Sequence, residues 1–492
     1  MTPDARGRLD PGKPGWAWDA EAIARLSRET AALLTSTLLD ARTGPVTARP
    51  PAELLKAWRT DGWAEDGISV DQILDEFAES IAPFSFGNAH PRFAAWVNSP
   101  PHPLGVAGAA LAAAMNPSVA GGNHAAVHLE RRVVRWFAQL LDWPDGFAGQ
   151  LVSGGSAATL TALAAARHRA LDRAGHDDRR DGLAGIPHRL VVYASAEAHT
   201  CVTKAVEALG IGSANISRIG TDARRRMDAD ELHRTLAADV AAGELPVAVV
   251  ASAGTVNTGA VDPLAAIAAV CARHDVWLHV DGAYGAPAVL LLDDWAQAHA
   301  GLSGADSVAL DPHKWLYVPV DAGLVLFRDE PIVRDTFSLV PAYLRTGGDA
   351  DEPVWFSEYG LEQTRPFRAL KVWMQLAHLG KDGYRRLIAR DIAVADALRL
   401  QLDDSDDFEV LAYGLSVVCF RHLPGGMADG DLDHHNRSLL RDLQARGSAF
   451  LAGTQVDQRF ALRACIVNPL TTTHDVTAML AETRRCASDR AA

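Results

Sequence analysis

From about Pro91 onward, short β-branched runs alternate with Ala- and Leu-rich stretches at helical spacing, and this alternation restricts the chain to few folds. Strands are predicted over 190–193, 247–252, 276–280, 307–310 and 323–327, with helical stretches over 158–170, 203–209, 228–242 and 263–274. Parallel strands need long crossover connections, so strand–helix alternation implies a mostly parallel sheet covered by helices on both faces. Helical patterns follow over 366–379 and 384–402. The last hundred residues mix strands (408–411, 416–420 and 460–464) with helices and read as a smaller α+β domain. Upstream, a helical stretch over 19–41 places Ile23, Leu26, Leu33, Leu34 and Leu38 near one face before Pro45, Pro50 and Pro51 interrupt it. This first segment is too thin to hold its own core, so it is expected to pack on another surface, such as a second subunit. The predicted organisation is an N-terminal helical segment over 1–85, a large α/β domain over 86–375 and a small α+β domain over 376–492.

Composition narrows the partners. The 492 residues carry 47 Lys+Arg and 61 Asp+Glu, and 47 − 61 = −14. A negative balance argues against nucleic acid as the main partner and against a polybasic membrane anchor. The longest apolar run, over 104–115, contains Gly105 and Gly108 and is shorter than the ~20 residues of a membrane-spanning helix. The N-terminus lacks the apolar core of a signal peptide. Cys201, Cys271, Cys419, Cys465 and Cys486 are odd in number, scattered, and contain no CxxC pair. The expectation is a cytoplasmic protein with reduced thiols and no metal. The cluster Asp431, Asp433, His434 and His435 has metal-ligand residue types but fits the polar start of a helix.

Four local features carry chemistry. Asp311-Pro312-His313-Lys314-Trp315 follows a predicted strand, and apolar bulk around Lys314 would let the amine lose its proton and attack carbonyls. The strand over 276–280 ends in Asp281-Gly282-Ala283-Tyr284-Gly285, which puts a carboxylate at the edge where α/β ligands bind. Ser153-Gly154-Gly155-Ser156 opens a helix whose free N–H groups would attract phosphate, with no Walker lysine following. His199 follows another strand. Taken singly, each has a plainer reading: surface charge, cap, turn or structural histidine. In this order, a phosphate cup, a histidine, a strand-end Asp and a buried Lys are what pyridoxal 5′-phosphate requires.

With these residues the chain resembles the pyridoxal-phosphate-dependent group II decarboxylases, close to the aromatic-L-amino-acid decarboxylases. The resemblance runs from about Pro45 to near the C-terminus and includes His90-Pro91-Arg92-Phe93, Ala253-Gly254-Thr255, His279-Val280-Asp281, Pro312-His313-Lys314-Trp315, Arg368-Ala369-Leu370-Lys371 and Asn468-Pro469. It implies a fold-type I transferase-like architecture with a mostly parallel seven-stranded sheet, assembled as a homodimer. By resemblance, Lys314 forms the Schiff base, Asp281 binds the pyridine nitrogen with Ala283 against the ring, and His199 stacks on the opposite face. Gly155 and Ser156 hold the phosphate, His313 and Asp311 support the pocket, and Thr255 lies near the cofactor. The family often carries Asn where Asp311 stands, and a carboxylate beside a phosphate is repelled unless it is hydrogen-bonded or turned away.

Pro341-Ala342-Tyr343-Leu344 resembles the start of the family's mobile catalytic loop, and the polar stretch over 346–352 suits a lid. The tyrosine there is thought to protonate the carbon left when carbon dioxide departs. Relatives with Phe tend to be oxygen-consuming aldehyde synthases, so Tyr343 implies simple decarboxylation of an amino acid to the amine. Trp96, Val97, Asn98 and Ser99 match the side-chain pocket, with Asn116–Ser118 entering from a partner subunit. No Arg or Lys stands among them to favour glutamate. An aromatic amino acid is the expected substrate; a branched aliphatic or diamino acid, or aldehyde synthesis, is the alternative.

Overall fold

The computed structural model describes residues 18–63, 65–339 and 355–491. They divide into two units, one running through His90 and one from Pro91 onward. In the first, helices Ala20–Asp40, Ala52–Thr60 and Val70–Glu76 begin where the sequence supplies caps. Asp19 accepts the Ala22 N–H at 2.8 Å, and Ser69 and Gln72 form a reciprocal capping box. None of the three helices carries a buried residue, and Ile23, Leu39, Trp58 and Ile73 are exposed on them.

The second unit is built on seven strands: β1 (Ala148–Val152), β2 (Leu190–Ser195), β3 (Ile216–Ile219), β4 (Leu245–Ser252), β5 (Trp277–Asp281), β6 (Ser307–Leu310) and β7 (Gly323–Phe327). Their order is β1-β7-β6-β5-β4-β2-β3. β7 runs antiparallel to both neighbours, and the other pairs are parallel. The expected α/β class holds. The five strands predicted from sequence coincide with β2 and β4–β7 to within two residues at each end. β1 and β3 escape the pattern, because β1 opens Ala-Gly-Gln and β3 is a four-residue edge strand.

Register decides what the sheet presents. Ser252 lies opposite Asp281, and Asp281 opposite Ala309, so the ends of β4, β5 and β6 come level at one edge. Gly323 at the start of β7 pairs with Val152 at the end of β1 and brings that strand end to the same edge. β1 is itself an outer strand, and an outer strand has backbone groups to satisfy. A fully buried ion pair of Arg365 and Glu130 does this at Leu151: Glu130 Oε1 accepts its N–H at 2.9 Å, and Arg365 Nη2 donates to its carbonyl at 2.6 Å.

A second, antiparallel sheet contains β8 (Phe408–Gly414), β9 (Val417–His422), β10 (Ala452–Val456) and β11 (Arg459–Cys465), in the order β10-β11-β9-β8. With helices Asp429–Arg446 and Thr473–Ala491 it encloses a separate core that includes Phe420, Leu439, Leu462 and Val476. The helix Arg368–Asp403 contributes to both cores. It breaks at Gly380, whose φ of 61° is one that glycine adopts without strain. The two arms reach the same carbonyl: Gln375 Nε2 and Tyr384 Oη donate to Leu316 O at 2.5 and 3.2 Å.

Candidate active site

Three loops meet at the sheet edge. After β1, the chain turns through Ser153 and Gly154 into the helix Gly155–Arg173. A Cβ on Gly155 would stand 3.0 Å from Ala283 Cβ and 3.1 Å from Asp311 Oδ2, and one on Gly323 would meet Gly154 Cα at 2.4 Å. The glycines therefore let the loops after β1, β5 and β6 close around a helix N-terminus, where first-turn N–H groups lack intrahelical acceptors.

Asp281 ends β5, and its Oδ1 accepts the Ala283 N–H at 3.1 Å. Cys201 Sγ lies 3.9 Å from Asp281 Oδ2 and 3.8 Å from Thr159 Oγ1, and burial pushes the thiol up to about 12. His199 caps the helix Thr200–Ala208; its Nδ1 accepts the Cys201 N–H at 3.2 Å, which places the proton of the neutral ring on Nε2. Burial lowers the His199 pKa, with Asp281 opposing. His313 Nδ1 likewise accepts the Ala322 N–H at 3.1 Å, and burial lowers its pKa against the pull of Asp311.

Lys314 sits in a tight turn after β6. Its carbonyl accepts from Ser99 Oγ and from the Tyr317 N–H. Trp315 stacks on Tyr284 with ring centroids 5.0 Å apart, and its indole N–H and the Tyr317 hydroxyl both donate to Asp391 Oδ2, at 3.0 and 2.8 Å. Lys314 Nζ lies 2.9 Å from Asp311 Oδ2. The sequence-based expectation that apolar surroundings release its proton is overturned. Burial opposes the charge, but the Asp311 and Asp281 carboxylates outweigh it and raise the Lys314 pKa.

These residues line one cavity of about 540 Å³, which contains Gly155, Ser156, His199, Thr255, Asp281, Ala283, Asp311, His313 and Lys314 together with Trp96, Val97 and Asn98. The Thr255 hydroxyl is used within its own turn, 3.0 Å from Thr258 Oγ1 and accepting the Ala260 N–H at 3.1 Å. Trp96 leans on Phe93 and Phe450 at 5.9 and 5.5 Å between centroids. Asn116 lines a separate recess with Asp321 and Arg368. Tyr343 and the stretch over 346–352 lie outside the described residues.

The small sheet adds groups that sequence reasoning missed, among them Thr454 and Arg463. Arg463 is buried; its Nε donates to Asn257 O at 3.1 Å, and its Nη2 has no hydrogen-bond partner among the described residues. A cation thus enters the wall from a strand far along the chain, where no local motif announces it. Among the described residues no group of three or more His, Cys, Asp or Glu could hold a metal ion, and no helix is long and apolar enough to cross a membrane.

Comparison with known proteins matches residues 54–423 to the pyridoxal-dependent decarboxylase conserved domain. The chain is 32% identical over 475 residues to an aromatic-L-amino-acid decarboxylase of Bacillus atrophaeus, covering 96% of each. It is 33% identical over 427 residues to tryptophan decarboxylase 1 of Oryza sativa subsp. japonica, covering 82% of each. Among solved structures, Oryza sativa TDC with PLP and tryptamine superposes with a TM-score of 0.89 at 29% identity, over 97% of this chain and 100% of that one.

Proposed function

The chain belongs to the pyridoxal-dependent decarboxylase family, and we propose that this pyridoxal-phosphate-dependent amino-acid decarboxylase acts on an aromatic L-amino acid to give the amine and carbon dioxide. The observation that carries the reading is the convergence of Lys314, Asp281 and a Cβ-free helix N-terminus in one cavity with Trp96 and Val97 in its wall.

The residues fit the cofactor. Gly154 and Gly155 leave space at the helix N-terminus for a phosphate, and the strand-end carboxylate of Asp281 suits a pyridinium nitrogen. When bound, pyridoxal phosphate supplies a ring that accepts the electron pair left by a departing carboxylate. Lys314 Nζ is the group that would hold its aldehyde carbon. Asp281, held in place by the Ala283 N–H and the Cys201 thiol, would keep the ring nitrogen protonated. Ala283 and His199 would bound the ring, and Gly155 and Ser156 would offer N–H groups to the phosphate, with His313 and Thr255 shaping the cup. Asn98 sits beside Trp96 and Val97 at the substrate side chain. Tyr343 delivers the proton to Cα after carbon dioxide leaves. The enzyme works as a homodimer, which the exposed apolar faces of its first three helices support, and is cytoplasmic, in keeping with five buried, unpaired thiols.

Arg463 supports a second reading, an acidic substrate side chain drawn to the guanidinium in the cavity wall. One assay separates the readings. Purified protein with pyridoxal phosphate is given aromatic, aliphatic, acidic and basic amino acids in air, and products are read by mass spectrometry. Amines from the aromatic set alone support the proposal, and amines from acidic substrates alone replace it with the second reading. Aldehyde, ammonia and peroxide from the parent would establish oxidative chemistry instead. In the Tyr343→Phe variant the same products are expected to displace the amine; unchanged amine formation there would remove Tyr343 from its role.

A further inference from the structure

Asn257 lies in the turn after β4, which is closed by Thr255 N–H to Ala260 O at 2.8 Å and Gly259 N–H to Thr255 O at 2.9 Å. Its carbonyl accepts from Arg463 Nε on β11 at 3.1 Å and from Cys419 Sγ on β9 at 3.2 Å. Its side-chain Oδ1 accepts from Thr454 Oγ1 on β10 at 2.9 Å, and its Nδ2 donates to Glu197 Oε2 at 3.0 Å. A hydroxyl can donate and a carboxylate accepts, so these two partners fix which way the amide faces. Asn257, Thr454, Arg463 and His199 all line the same cavity.

Glu197 stands two residues before His199, between β2 and the helix Thr200–Ala208. Within that stretch the Glu197 N–H donates to Ser195 Oγ at 3.1 Å and the Ala198 N–H to Ser195 O at 3.0 Å, while His199 Nδ1 accepts from the Cys201 N–H. Those bonds tie the stretch to its neighbours in sequence. The Asn257 amide ties it to the small sheet.

We propose that Asn257 is a positioning residue: its amide carries the position of β10, through Thr454 and Glu197, to the ring of His199. The inference rests on the reading that places His199 against the cofactor ring. Side-chain type matters here, because the link needs one acceptor and one donor on a short stem. Aspartate offers two acceptors and sets a second carboxylate against Glu197, whereas alanine offers neither group. The backbone bonds from Arg463 and Cys419 survive either change, so the turn stays fastened to β9 and β11. Asn257, Glu197 and Thr454 are only half-buried, and such hydrogen bonds add little to global stability. A ring held against a cofactor is far less tolerant, since a shift of about 1 Å can cost ~100-fold in rate.

Amide hydrogen exchange on the cofactor-free protein tests the link, and visible circular dichroism of the loaded protein tests its consequence. In Asn257→Ala, peptides over 196–201 should exchange ~10-fold faster while those over β4 and β5 match the parent. With pyridoxal phosphate bound, ellipticity per absorbing cofactor should fall by roughly half, and kcat ~10-fold with KM within about threefold. Glu197→Gln keeps an acceptor for Nδ2 and should retain the parent's exchange. Glu197→Ala should reproduce Asn257→Ala, and the double variant should be no faster than either, because both cut one link. If Asn257→Ala does not fold, Glu197→Ala decides by the same readouts. Unchanged exchange over 196–201 overturns the inference. Faster exchange with ellipticity and kcat per loaded site unchanged also overturns it, leaving Asn257 a merely structural residue. A parent that acquires no cofactor absorbance overturns the reading beneath it.

Discussion

Asp391 is fully buried, with two donors on Oδ2 and Arg390 Nη1 3.5 Å from Oδ1, and burial lifts its pKa from 3.8 to about 6. A carboxyl whose folded pKa is raised adds stability below its unfolded value, and that contribution is lost as pH rises from about 4 to about 6. The shift sets a ceiling of roughly 3 kcal/mol. Asp391→Asn, whose carbonyl can accept from both Trp315 and Tyr317, is expected to match the parent near pH 4 and to exceed it by about 1–2 kcal/mol at pH 8, measured by urea unfolding. Equal stability at pH 8 would mean that the charge itself strengthens the two hydrogen bonds by as much as burial costs. Residue chemistry was partly legible in the sequence. Lys314, Asp281 and His199 stand in distinctive local strings, and the structure brings them into one cavity. The state of the Lys314 proton was not legible, because neighbours in sequence are apolar while neighbours in space include Asp311 and Asp281. Arg463 stayed hidden for the same reason.

Elements were legible where side-chain period and β-branching agree, as in β4 and β5. β1 was not, since it opens Ala-Gly-Gln and takes part of its support from distant residues, the Arg365 and Glu130 pair that satisfies Leu151. Removing one member leaves a buried charge without its partner. Arg365→Met is expected to cost about 3–5 kcal/mol in chemical denaturation, and the double change Arg365→Met with Glu130→Leu should recover part of it. Arg365 Nη1 also donates to Val119 O at 2.9 Å, and a double variant no more stable than the single one would show that the hydrogen bonds to Leu151 and Val119, rather than the uncompensated charge, dominate. Because β1 leads directly into Ser153 and Gly154, the single variant should also hold cofactor less tightly at temperatures where it remains folded.

The whole molecule divides its duties unequally. The unit from Pro91 onward holds both cores and the cavity, whereas the first three helices bury nothing of their own. Light scattering is expected to give twice the 52.5 kDa chain mass, and Ile23→Asp with Leu34→Asp should shift the protein toward the chain mass. A parent running at the chain mass would remove the homodimer proposal. The helix Arg368–Asp403 carries a mechanical consequence. Its arms meet at Gly380 like two limbs of a bow, and both pull on the carbonyl of Leu316, two residues from Lys314. The far limb runs into the core of the small sheet, from which Arg463 and Thr454 reach the cavity. One helix thus ties the turn that presents the lysine amine to the core of the sheet that supplies the cavity's far wall, so the two sides of the cavity share a single rigid strut.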